Sequence, residues 1–148
     1  MFDAHGRFRV TVHGDVLVVD GWGPWDKQTA AAYSRAVDAA TLEMRAPWAA
    51  LIRFRSEPLM WTDTRDHIRD AVRMRVARGM RSMAVVMPDM PEANLVRAQY
   101  AQLYGECGAE FAFFLDDEPA LAWLETRGHA AAAAAIRATA GDGARTGG

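Results

Sequence analysis

A single cysteine, Cys107, in 148 residues leaves nothing for an internal disulfide to join. There is no excess of basic charge either. With 17 Lys and Arg against 19 Asp and Glu the net charge is -2, and no basic run supplies the phosphate-neutralising footprint that nucleic-acid binding requires. Nucleic acid is therefore not an expected partner. Long apolar runs are also missing: no stretch approaches the ~18 residues needed to cross a bilayer. The start, from Met1 to Val12, carries Asp3, His5, Arg7 and Arg9 in place of a signal-peptide core, so no transmembrane segment and a cytoplasmic location are expected. Gly21, Gly23 and Pro24 complete neither glycine-rich phosphate-binding pattern, which leaves no nucleotide loop.

What is present is the composition of one soluble domain, 51% hydrophobic and 24% charged, at a length whose buried core can hold a fold without metal or disulfide. Phe8, Val10 and Val12 alternate with Arg9, Thr11 and His13, as in an edge strand with one wet face. Gly14-Asp15 turns the chain into a second strand, Val16 to Val19, which pairs antiparallel with the first. From Trp25 to Met44, Ala30, Tyr33, Val37, Ala40 and Met44 recur at helical spacing. Trp48 to Ile52, followed by Arg53, Phe54 and Arg55, reads as an interior strand. A second helix carries Ile68, Val72 and Val76 and closes at Gly79. Met83 to Met87 is a fourth strand, and Leu95, Val96, Tyr100 and Leu103 mark a third helix. Phe111 to Leu115 is the fifth strand, and Asp116-Asp117-Glu118-Pro119 starts a fourth helix.

This order predicts an α/β fold, a single mostly parallel five-stranded sheet with an antiparallel N-terminal edge hairpin and four helices. The domain spans residues 1–127. Residues 128–148 hold six consecutive alanines, then Gly, Thr and Arg, with only Ile136 to bury, and are expected to be a disordered, dispensable tail.

His13-Gly14-Asp15-Val16-Leu17-Val18-Val19, Gly23-Pro24-Trp25, Trp48-Ala49-Ala50-Leu51-Ile52, Gly79 through Val86, and Ala120-Leu121-Ala122-Trp123-Leu124 together resemble the STAS domain of anti-sigma-factor antagonists, in its divergent SpoIIAA-like branch. The resemblance implies a small bacterial regulatory or protein-interaction domain and not an enzyme. In typical STAS antagonists a Ser or Thr at the start of the second helix is phosphorylated within an Asp-Ser-Ser/Thr-Gly motif. The matching place here reads Trp61-Thr62-Asp63-Thr64, so Thr62 and Thr64 are the candidate phosphorylation sites, without the motif's Ser-Gly core, and simple N-capping of the second helix is the competing reading. The family also includes proteins thought to hold small apolar molecules.

Trp22, Trp25 and Trp61 fall in loops at the C-terminal ends of parallel strands, where open α/β sheets place their ligand crevices. With Met60, Met87 and Met90 they form the candidate ligand or partner surface, built by the loops 21–26, 56–64 and 87–94. Packing of these aromatics into the core is the competing reading. Trp48 and Trp123 read as core. Asp63, Asp66, His67 and Asp70 share a helix face opposite the apolar one and read as a solvated ion-pair stripe. Cys107, beside Glu106 and with no positive neighbour, reads as an inert thiol. His5 and His129 lie near expected flexible ends. No cluster combines nucleophile, base and oxyanion donors, and no metal or cofactor is expected. The preferred function is regulation through protein contact, with a homodimer as one option and an apolar small ligand as the alternative. An uncharacterised enzyme ranks third.

Overall fold

In the computed structural model, residues 7–23, 26–55, 62–89 and 93–147 are described, the last eight of these and 62–64 by their backbone alone. The alternating stretch forms β1 (Arg7–His13), and Gly14, at φ +58°, turns the chain back into β2 (Val16–Trp22). That left-handed backbone suits glycine, which has no Cβ to clash. Asp26 caps α1 (Lys27–Thr41) by accepting the Thr29 amide at 2.8 Å. The chain then runs through β3 (Trp48–Phe54), α2 (Thr62–Ala77), β4 (Met80–Val86), α3 (Ala93–Cys107), β5 (Glu110–Phe114), α4 (Asp117–Thr126) and α5 (Ala130–Gly147).

The strands lie in the order β1-β2-β3-β4-β5, with β1 antiparallel to β2 and every other pair parallel. This is the sheet that the sequence predicts. Side-chain alternation divides each interior strand between two cores. Leu17, Val19, Ala50, Ile52, Met83 and Val85 pack with residues of α1, α2 and α3. Val16, Val18, Ala49, Leu51, Ala84 and Val86 pack with α4 and α5. Trp48 is fully buried, and its indole N–H donates to the Arg78 carbonyl at 3.2 Å. Trp123 is only partly buried, between the Phe114 ring and the Arg127 guanidinium.

Gly79 explains the sharp junction between α2 and β4. It sits at φ +117°, and a Cβ there would come within 2.5 Å of the Ala46 Cβ. Neither the conformation nor the space admits a side chain.

The helix count requires a correction. Residues 128–148 were expected to be a disordered tail, but Ala130–Gly147 form a fifth helix whose Ala132, Ala133 and Ile136 are buried against the sheet. The physical reason is tertiary: small side chains let the helix pack on the sheet, where Ala132, Ala133 and Ile136 share a core with Val16, Val18 and Leu51. Polar contacts fix both ends of this buried stretch. His129 is buried, not at a loose end, and its Nδ1 approaches Asp15 Oδ2 to 2.9 Å without hydrogen-bond alignment. Arg137 donates to Glu118 at 2.9 Å and to Glu125 at 2.7 Å, tying α5 to α4.

Cys107 is buried, and its thiol donates to the Leu103 carbonyl at 3.2 Å. Burial pushes its pKa up, against the smaller lowering influence of Arg73. At neutral pH the native protein should therefore react with a chromogenic disulfide reagent roughly tenfold or more slowly than the denatured chain. Equal rates in the two states would show that the thiol is accessible and activated.

Candidate functional site

The parallel register sets Asp20 of β2 beside Arg53 of β3, and the antiparallel register sets Arg9 of β1 beside Asp20 and Arg7 beside Trp22. By strand alternation all of these share the sheet face that carries α4 and α5. Three chemically distinct strand ends thus meet at one corner of the sheet.

Asp20 is almost completely buried. Its Oδ1 accepts from Arg53 Nε at 2.8 Å and from Arg55 Nε at 2.9 Å, and its Oδ2 accepts from Arg53 Nη2 at 3.0 Å. Arg53 Nη1 reaches Asp117, at the start of α4, at 3.1 Å. Each guanidinium nitrogen of Arg53 is thereby used, which is the condition for keeping such a charge away from water. Beyond this cluster the Arg7 guanidinium lies over the Trp22 ring at 4.5 Å, and that of Arg9 lies 5.9 Å from the same ring. Cation–π attraction at these distances restrains both cations. A groove of about 680 Å³ opens above, with Arg9, Thr11 and His13 along one side, Trp22 and Arg55 at one end, and Ile136 and Thr139 of α5 opposite. Its volume falls in the range of ligand-binding clefts.

A solved structure with a similar fold is the uncharacterized protein of the DUF3478 family, with a SpoIIAA-like fold, from Shewanella loihica PV-4. The TM-score is 0.57 at 16% sequence identity, and the match covers 84% of this chain and 98% of that one. The chain has a SpoIIAA-like fold. At that identity the likeness is one of architecture. No family sequence profile and no curated protein matches the chain.

Among the residues that the sequence singles out in this SpoIIAA-like domain, Trp22 lies on the groove. Trp25, Met60, Trp61 and Met90 lie outside the described residues, as do residues 24–25, 56–61 and 90–92 of the three loops expected to carry the site. Met87 is fully buried in the core shared with α1, α2 and α3, and so faces away from the groove. Thr62 and Thr64 occupy the first turn of α2, with their side chains outside the description. In the expected solvated stripe, Asp66 and Asp70 are exposed and flank Arg69 at 3.4 and 3.6 Å. No described helix is long and apolar enough to cross a membrane.

The residues that sequence reasoning missed are Arg7, Arg9, Asp20, Arg53, Arg55 and Asp117. One signal pointed to them: Asp20 directly follows the apolar run Val16 to Val19, and Arg53 directly follows Ile52. Opposite charges closing two interior strands must be partnered if they stay buried. A second buried cation, Arg75, sits in the opposite core over the Tyr33 ring at 4.8 Å, and its Nε and Nη2 have no hydrogen-bond partner among the described residues. Burial there also holds the Tyr100 and Tyr104 hydroxyls well above the ordinary phenol range.

Proposed function

We propose that this SpoIIAA-like domain is a non-catalytic regulatory module that works by protein contact, and that the arginine-lined groove is its contact surface. The observation that carries the reading is the Asp20–Arg53–Asp117 network, which braces one end of the groove at the C-terminal ends of β2 and β3. Open α/β sheets use that end of the strands for binding, and a pre-braced surface loses little freedom when a partner docks. Both oxygens of Asp20 already accept from guanidinium groups, so this carboxylate is engaged in holding the wall and is poorly placed to take a proton from a substrate. The apolar-ligand alternative depends on Trp25, Met60, Trp61 and Met90, which lie outside the described residues.

The regulatory part of the reading places a phosphoswitch at Thr62 or Thr64. These residues open α2, which follows β3, and a phosphate there would meet unpaired helix amides. A photo-crosslinking residue at Thr11, in the groove, should capture a discrete protein from extracts of the native cells. The same residue at Leu42, exposed at the end of α1, should not. Equal capture from both positions, or none from Thr11, removes the groove as the contact surface. A Thr62→Glu plus Thr64→Glu variant should fold and lose the Thr11 crosslink. A folded variant that keeps it, with no phosphopeptide from cells, removes the switch alone.

A further inference from the structure

Resting on that reading, we infer that the partner presents an acidic peptide segment to the groove, with Arg9 and Arg55 meeting its carboxylates. The donor inventory leads there. Arg53 is saturated by Asp20 and Asp117. Arg55 gives only Nε to Asp20, its Nη2 lies 3.8 Å from Asp117, and its side chain is 36% exposed. Arg9 is exposed and has no carboxylate within ion-pair distance among the described residues. The groove lining therefore carries three arginines against two aspartates. The surplus donors are restrained by aromatic and ionic contacts, as anion recognition requires.

Shape selects among anions. The β1 side runs from Arg9, its one cation, past Thr11 to His13, a span of roughly 13 Å at strand rise, which is about four residues of extended chain. A compact anion such as phosphate would fill only the Arg9–Arg55 end. A long phosphodiester would meet the acids outside the groove, including Asp15, Glu118 and Glu125, in a chain of net charge -2. A second copy would bring its own Arg9 and Arg55 against these, and like charges facing one another repel. An extended segment fits the length of the β1 side, and an acidic one fits the sign of Arg9 and Arg55 at its end. Ile136 and Thr139 on the opposite wall offer its backbone one apolar and one hydrogen-bonding contact.

The probe is fluorescein-labelled hexaglutamate, read by fluorescence anisotropy on the full chain. Saturable binding that weakens as salt rises is expected, while labelled hexalysine should not bind. Arg9→Glu should lower hexaglutamate affinity roughly tenfold, as removal of a close interfacial charge partner does. Arg9→Glu combined with Arg55→Gln should lower it further, and Arg45→Glu, an exposed change away from the groove, should leave it unchanged. Thermal melts confirm that each variant is folded. No hexaglutamate binding, binding indifferent to Arg9→Glu, or competition by inorganic phosphate at matched charge overturns the inference. If the Thr11 crosslink to a cellular partner survives while hexaglutamate neither binds nor competes, the acidic segment is wrong and the contact groove stands. Loss of both removes the two together.

Discussion

Truncation after Gly128 should lower the melting temperature by roughly 10 °C or more, the shift expected for a loss of about 3 kcal/mol from a domain of this size. The deletion uncovers the core face that carries Val16, Val18 and Leu51, where Ala132, Ala133 and Ile136 are buried. It also removes the contact of His129 with Asp15 and the double attachment of Arg137 to Glu118 and Glu125. The surface ion pairs contribute little. Burial dominates, and Ile136→Ala alone should cost about 2–4 kcal/mol in urea denaturation. A truncated protein that melts with the full chain would show that α5 does not dock in solution.

Replacing Asp20 with alanine should cost about 3–5 kcal/mol, the usual penalty for leaving one partner of a buried ion pair uncompensated. Arg53 is 12% exposed at its side chain and would lose the acceptor for two of its three guanidinium nitrogens. Asp117, more exposed and holding only Nη1, cannot substitute. The double change Asp20→Leu with Arg53→Met should recover most of the loss, because both charges are then removed together. Urea denaturation of the two variants checks the pair. An Asp20→Ala protein within about 1 kcal/mol of the parent would mean that water reaches Arg53 freely.

The five strands are legible in the sequence because each rests on a local pattern. The run Val16 to Val19 and the run Trp48 to Ile52 both act on their own neighbourhoods. The fifth helix is not legible in this way. Alanine contributes little buried area alone, and what makes Ala132 and Ala133 stabilising is the core they share with Val16, Val18 and Leu51, distant in sequence. The groove is hidden for a related reason. Asp20, Arg53 and Asp117 become one network only when strand order and register are known, whereas tryptophans in loops attract notice by composition alone. Trp22 belongs to both accounts because it is the aromatic that the register carries to the cluster.

The sequential strand order has a kinetic side. Every strand pairs with its neighbour in the chain, so each addition to the sheet closes a loop of modest length and requires little search entropy. Growth can run from the first hairpin outward as the chain emerges from the ribosome. The exception is α5, which must return across the whole sheet to reach the turn at Gly14 and Asp15. It is the long-range clasp of a locally wired fold, placed to close after the sheet has formed and to open before it.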